Sequence, residues 1–393
     1  MNENKAKDWL KNILELLNRY EEIEFEDLNI DAGDLEIIIR PGAPAVAVSP
    51  AIPAAPPKPT ELTEVEFHPP IGKYPGQIAE VTLGATRAEG GTRGKTITIG
   101  GERIPPFHLF EGSQPHPPVI AGDVFDTPIS LPGPVRECLG DALQDPLKWA
   151  KLSVDKFGAD LIDLELTSTD PYIKNTPVSE SIKLVEDMLQ AVDVPLIIGG
   201  SGNPEKDAKL LPKIAEVCEG ERVLLSSATP DMWEPVAKAA KKHKQLVLAW
   251  TSIDINLAKE LNRKLFDYIP KEQIVIDPTS AALGYGMEYA FSVMERIRLA
   301  ALMGDVELQC PQGSGTANSW GAREAWKRDP ELGPREYRGP LWETVGALTF
   351  LLAGIDLFIM LHPAGIRTMK DIIGWLMGEK KPPTFARWLG IGK

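Results

Sequence analysis

Residues 158–199 read G-A-D-L-I-D-L-E-L-T-S-T-D-P-Y-I-K-N-T-P-V-S-E-S-I-K-L-V-E-D-M-L-Q-A-V-D-V-P-L-I-I-G. Ala159–Leu166 is a short apolar run of the kind that a parallel sheet buries on both faces. Val178–Val192 spaces its apolar residues as a helix does, and Val194–Ile198 is a second strand-like run. Strand, helix and strand in this order ask for parallel pairing through a crossover helix. The alternation continues outward on both sides. Further strand candidates are Pro118–Ala121, Arg222–Ser226, Gln245–Trp250, Gln273–Ile276, Val306–Gln309 and Ile355–Leu361, with helical patterns at Glu205–Cys218, Asp231–His243 and Ala258–Tyr268. Eight strands with intervening helices over about 265 residues match an α/β fold of the (β/α)8 TIM-barrel type in number and length. A doubly wound open sheet is the competing arrangement, but its G-x-G-x-x-G fingerprint after the first strand is absent.

Ahead of the barrel, taken as residues 116–393, three segments differ in composition. Residues 61–115 are rich in glycine and strand formers. Ile78–Leu83 and Lys95–Ile99 flank A-E-G-G-T-R-G and predict a β-hairpin in this lead-in. Residues 41–60 form a Pro/Ala-rich linker; the stretch from Arg40 to Thr60 holds seven prolines, which favours an extended, semi-rigid connection. Residues 1–40 carry eleven acidic and five basic side chains. Trp9, Leu10, Ile13, Leu14, Leu17 and Tyr20 recur there at helical spacing, and Leu35–Ile39 follows as a short strand. So small an acidic module is marginal for an independent core and reads either as a docking element or as an ordinary solvated face.

The whole chain of 393 residues has 42 Lys plus Arg against 56 Asp plus Glu, a net charge of −14. This balance gives no electrostatic footprint for nucleic acid or anionic lipid. The three cysteines, Cys138, Cys218 and Cys310, lie far apart without C-x-x-C, so neither a disulfide framework nor an iron–sulfur cluster held by this chain alone is expected. The apolar run Val345–Leu361 is broken by Gly354 and Asp356 and reads as a buried helix entering a buried strand, not a membrane span. No signal peptide is visible, and the expectation is a cytoplasmic protein.

In such a barrel the chemistry collects at the C-terminal ends of the strands. The residues expected to face a ligand there are Asp123, Gly200, Asn203, Ser227, Asp254, Asn256, Asp277 and His362. G-G-S-G-N-P-E-K opens a helix with Asn203 placed to cap it and Pro204 at its first position; it reads as a ligand-receiving turn or as a tight connection that needs glycine and a cap anyway. Asp254 and Asn256 present a carboxylate and an amide, with helix capping as the competing role for Asp254. Asp277 ends a strand in I-V-I-D-P-T, and His362 ends another in M-L-H-P. Cys310 reads as a packed thiol. No histidine pair has metal-ligand spacing and no Ser-His-Asp or G-x-S-x-G pattern occurs, so no catalytic residue is assigned. Carboxylates, amides and hydroxyls without a nucleophile suit a large polar ligand.

Several stretches carry a resemblance: V-T-L-G-A-T-R-A-E-G-G-T-R-G-K-T-I-T-I-G-G (81–101), P-F-H-L-F-E-G (106–112), G-A-D-L-I-D-L-E-L (158–166), I-D-P-T-S-A-A-L-G-Y-G-M-E-Y-A-F-S-V-M-E-R-I-R-L-A-A-L (276–302) and G-P-R-E-Y-R-G-P-L-W-E (333–343). Together they resemble the small (delta) subunit of the corrinoid iron–sulfur protein in the acetyl-CoA synthase (decarbonylase)/carbon monoxide dehydrogenase system. The resemblance implies a TIM barrel related to pterin-dependent methyltransferases. It implies a heterodimer with a large (gamma) subunit that carries the iron–sulfur cluster, with a corrinoid (cobalamin) shared at the interface above the barrel. It also implies methyl transfer from a methylated tetrahydropterin, through a methyltransferase partner, to the nickel–iron cluster of acetyl-CoA synthase, in the reductive acetyl-CoA (Wood–Ljungdahl) pathway or its reverse. The absence of clustered cysteines and of the cobalt-ligating D-x-H-x-x-G agrees with a subunit that does not hold these groups alone. Asp123, Asn203, Asp254, Asn256 and Asp277 suit a pterin equally well, so an autonomous methyl-pterin:corrinoid methyltransferase is the alternative.

Overall fold

Parallel strands need both edges satisfied, and eight of them here do so by rolling into a ring. The computed structural model describes residues 68–381; the 1–40 module, the 41–60 linker and residues 61–67 and 382–393 lie outside the described residues. The strands are β3 (Val119–Phe125), β4 (Leu161–Glu165), β5 (Leu196–Gly199), β6 (Leu224–Ala228), β7 (Leu246–Trp250), β8 (Ile274–Asp277), β9 (Gly313–Ser314) and β10 (Leu357–Met360), numbered after the hairpin strands β1 (Val81–Leu83) and β2 (Ile97–Ile99). Each pairs in parallel with its chain neighbour, and β10 pairs with β3. The ring closes where the Ile276 amide donates to the Pro311 carbonyl (2.9 Å) and Ile276 bridges Gln312.

Helices cover the outside: α1 (Gly133–Leu139), α2 (Pro146–Leu152), α3 (Val178–Ala191), α4 (Pro204–Val217), α5 (Trp233–His243), α6 (Ile255–Phe266), α7 (Met287–Leu302), α8 (Arg335–Ala353) and α9 (Pro363–Leu376). Their inward stripes follow from spacing; α3 buries Ser181, Val185 and Met188. Caps start them where the sequence indicates, with Asn203 accepting from the Lys206 amide and Asp254 from those of Asn256 and Leu257. The run from Val345 is the end of α8 followed by β10. Among the described residues no helix is long and apolar enough to cross a membrane.

One strand differs from expectation. Val306–Leu308 is a 3-10 turn whose Asp305 side chain accepts from the Glu307 amide, and the seventh barrel strand is the two-residue β9 further on. An alternating V-E-L-Q run looks strand-like, but Asp305 and Glu307 are drawn outward by Lys259 (2.8 Å to Asp305) and Arg263 (2.8 Å to Glu307). Gly313 takes the interior position instead, because a Cβ there would sit 3.3 Å from Leu248 and 3.4 Å from Val275.

The core has two layers. One lies between strands and helices; the other fills the barrel with Val119, Ala121, Leu161, Ile197, Leu224, Leu248, Val275 and Leu357. The predicted hairpin forms, with Val81 opposite Ile99 and Leu83 opposite Ile97, and Val81, Leu83 and Ile99 join that interior cluster from below. The hairpin is therefore the plug of the N-terminal end. Two buried arginines hold this end together. Arg93 donates to Glu221 (2.8 Å) and to the carbonyls of Leu189 (2.5 Å) and Val192 (2.6 Å), tying the plug to the C-terminus of α3. Arg298 on α7 pairs with Glu102 and with Asp356 (2.6 Å) just before β10.

Removing one partner of a buried pair leaves the other charge unpaired, which costs about 3–5 kcal/mol. Arg93→Ala is expected to lower unfolding stability by about that amount, measured by urea denaturation of the full chain, while R93M/E221L recovers most of it. A loss under about 1 kcal/mol for Arg93→Ala would show that the plug is held by its apolar residues alone.

Candidate functional site

Toward the C-terminal end the barrel interior changes character. The inward face of β3 runs Val119, Ala121, Asp123, and that of β4 runs Leu161, Asp163, Glu165. Asp123 and Asp163 are register partners on neighbouring strands. Ser226 on β6 and Asp277 on β8 continue the layer, and Glu343 on α8 stands behind β10. The apolar interior thus ends in carboxyl groups, nearly all of them buried.

These carboxyls have few donors. Neither oxygen of Asp163 nor Oδ1 of Asp123 meets a hydrogen-bond donor. Burial, reinforced for both by the Glu165 charge, pushes their pKa values well above the ordinary carboxylate range. A proton on Asp163 supplies the missing donor, directed at Glu165, whose own pKa burial pushes up to about 7. Asp277 is pushed up to about 7 by burial, offset in part by the Thr279 amide (2.9 Å). Glu343, also raised to about 7 by burial, accepts from the amides of Leu361 (2.6 Å) and His362 (3.0 Å) and fixes the end of β10.

The glycine-rich turn after β5 is shaped by two of these acids. A Cβ on Gly199 would collide with the Glu165 carboxyl, and one on Gly200 with that of Asp207. Asp207 accepts from the amides of Ser201 (2.9 Å) and Gly202 (2.8 Å), so the turn's own donors are already engaged. Glu165, Gly200, Asp207, Ser226 and Ser227 line a cleft of about 150 Å3 at the mouth.

Asp123, Gly200, Ser227 and Asp277 therefore lie at the strand ends around the mouth. Asn203 is occupied as the cap of α4 (3.2 Å to the Lys206 amide). Asp254 caps α6 (2.7 Å to the Asn256 amide), and Asn256 is exposed and lines a groove on the outer side of α6 with Lys259 and Arg263. His362 caps α9: its Nδ1 accepts from the Ala364 amide (3.1 Å), its Nε2 meets Cys138 Sγ (3.2 Å), and its ring lies 5.7 Å from that of Trp320. Burial lowers its pKa to about 4, so the ring is neutral at pH 7. Cys310 is packed, its thiol pushed up to about 12. Asp163, Asp207 and Glu343 were not among the expected site residues. The alternation L-I-D-L-E-L carries the signal for Asp163, because an acid at every second position of a buried strand faces one side.

A raised carboxyl pKa has a definite linkage sign. Between the unfolded value of about 4 and the folded value near 7 the native state binds the extra proton, so stability falls as pH rises from about 4 to about 7 and levels off above it. Asp277→Asn cannot ionise and is expected to flatten the fall between pH 5.5 and 8.5, read as the urea midpoint. An unchanged slope would mean that Asp277 is already ionised at pH 5.5.

The family model for the CO dehydrogenase/acetyl-CoA synthase delta subunit matches residues 80–329. The chain is 51% identical over 360 residues to the acetyl-CoA decarbonylase/synthase complex subunit delta of Archaeoglobus fulgidus, covering 87% of this chain and 80% of that one. It is 46% identical over 374 residues to the subunit of the same name from Methanocaldococcus jannaschii, covering 92% and 91%. Among solved structures, Xanthomonas albilineans dihydropteroate synthase with 4-aminobenzoic acid aligns with a TM-score of 0.48 at 17% identity, over 68% of this chain and 94% of that one. A family match across most of the barrel, together with relatives near half identity over most of their length, places this chain in the acetyl-CoA decarbonylase/synthase delta subunit family.

Proposed function

We propose that the barrel mouth of this delta subunit holds one face of a corrinoid (cobalamin) against a large (gamma) subunit that carries the iron–sulfur cluster. In this reading the pair receives a methyl group from a methylated tetrahydropterin, through a methyltransferase, and delivers it to acetyl-CoA synthase. The observation that carries the reading is the ring of carboxyl and hydroxyl groups at the strand ends. Glu165 and Asp277 titrate near neutrality, so the mouth offers O–H donors as well as acceptors. A corrin ring is edged by amide side chains, which need both. Oδ1 of Asp123 and the hydroxyls of Thr127, Thr229 and Thr251 are buried without a hydrogen-bond partner, which fits a ligand that brings N–H and C=O groups.

His362 has both ring nitrogens engaged and is assigned the edge of the mouth, not cobalt. Among the described residues no group of three or more His, Cys, Asp or Glu could hold a metal ion, and the reading gives the iron–sulfur cluster to the partner. When bound, the corrinoid supplies the cobalt that takes up and releases the methyl group. The residues of this chain bind its amide edge, fix its orientation and keep water from the reacting face.

One observation favours the alternative, an autonomous methyl-pterin:corrinoid methyltransferase. Asp163 is wholly buried, so its oxygen that is not directed at Glu165 lies below the reach of a flat ring resting on the mouth and would suit a smaller N–H-bearing heterocycle. The complex purified with its large subunit and reconstituted with hydroxocobalamin separates the two. Asp277→Ala is expected to weaken corrinoid binding roughly tenfold, the scale of one lost hydrogen bond, read as retained corrin absorbance across a hydroxocobalamin titration. Unchanged absorbance would contradict the corrinoid reading. Methyl transfer from methyl-tetrahydropterin to free Co(I) cobalamin by the isolated chain at an enzyme-like rate would favour the alternative.

A further inference from the structure

The connections leaving β3 and β9 meet and enclose a second cleft of about 550 Å3. Its lining holds four cationic side chains, Arg136 at α1, Lys327 and Arg328 in the β9–α8 connection, and Arg335 at the start of α8, and no carboxylate. That is an unusual concentration in a chain of net charge −14. Lys327 is partly neutralised by Asp329 (3.1 Å). The guanidinium groups of Arg136 and Arg328, both exposed, make no hydrogen bond or ion pair among the described residues. Like charges brought together repel one another, and an anion bound between Arg136 and Arg328, which lack a counter-ion, lowers that cost.

The cleft is also built in advance. Arg338, itself 8% exposed, donates to the carbonyls of Glu324 (2.6 Å) and Lys327 (2.5 Å) and fixes the loop that carries the cations. The Trp326 indole donates to the Trp320 carbonyl (3.0 Å), and Arg335 Nε donates to the Trp326 carbonyl (3.0 Å). The Arg335 guanidinium lies over Gly133, where a Cβ would collide with it, and the Trp320 ring lies over Gly339 in the same way. Much of G-P-R-E-Y-R-G is accounted for by this arrangement, which the carboxyl-lined mouth leaves unexplained. Flat indole beside fixed guanidinium is a surface for a ring or chain that carries an anionic group.

We propose that this cleft binds a small organic anion, with its phosphate or carboxylate groups on Arg136, Arg328 and Arg335 and its apolar part against Trp326. The site adjoins the mouth where the Trp320 ring meets that of His362 (5.7 Å), but it does not depend on the corrinoid reading. Full-length chain titrated with pyrophosphate and, separately, with citrate reads it through tryptophan fluorescence and calorimetry. The expected result is saturable binding that weakens several-fold between 50 and 500 mM salt and at least tenfold in R136A/R328A, whose melting temperature does not fall because neither side chain has a partner to lose. Tighter binding of pyrophosphate identifies a phosphate ligand, and tighter binding of citrate a carboxylate one. K151A/K183A, which removes two cations from the cleft at the opposite end of the barrel, serves as the charge control. Equal weakening in that variant, no saturation by about 10 mM of either probe, or binding of a peptide of residues 1–40 but of neither small anion would each overturn the proposal.

Discussion

A closed barrel of parallel strands must fill its own interior, and here the two ends fill it with opposite chemistry. Below, the hairpin pushes Val81, Leu83 and Ile99 into the ring. Above, Asp123, Asp163, Glu165 and Asp277 occupy the same inward-facing rows. Carboxylates gathered in low dielectric cannot all remain ionised, so protons are retained and shared. That constraint accounts for the raised pKa values, for the hydroxyls around them and for a mouth that donates as well as accepts hydrogen bonds. The plug matters to the same end, because water entering from below would hydrate these acids and return them toward ordinary titration.

Glycines next to the acids are part of the same design. Gly199 and Gly200 leave room for the carboxyls of Glu165 and Asp207, and Asp207 spends its oxygens on the Ser201 and Gly202 amides. The turn after β5 is thereby rigid and satisfied, while the mouth beside it retains buried polar atoms with no partner. On the opposite side, Arg338 and Gly339 set the positions of Trp320, Trp326 and Arg335. A family placement within an acetyl-CoA decarbonylase/synthase complex describes assembly, whereas these two regions describe what the subunit can hold.

Most of the barrel was legible in the sequence because buried parallel strands are continuous apolar runs and the helices carry regular stripes. β9 was not, because Gly313-Ser314 has neither length nor hydrophobicity; its place is set by neighbouring strands and by the space beside Leu248 and Val275. Among the site residues, Asp123 and Asp277 were legible as polar strand ends. Asp254 and Asn203 have the same chemistry, but local capping occupies them, and a strand-end position alone does not separate the two cases. The cationic cleft was invisible because Arg136 and Arg328 are distant in sequence and meet only through the fold.

The central claim is that the barrel mouth retains protons on buried carboxyls at neutral pH. Isotope-edited infrared difference titration of the full chain, labelled at the Asp and Glu carboxyls, measures it directly. The account predicts a protonated carboxyl C=O band that persists at pH 7, weakens by about pH 8–9 as the groups near 7 ionise, and is diminished in D163N/E165Q. Complete ionisation of every labelled carboxyl by about pH 5.5, in wild type and variant alike, would contradict it.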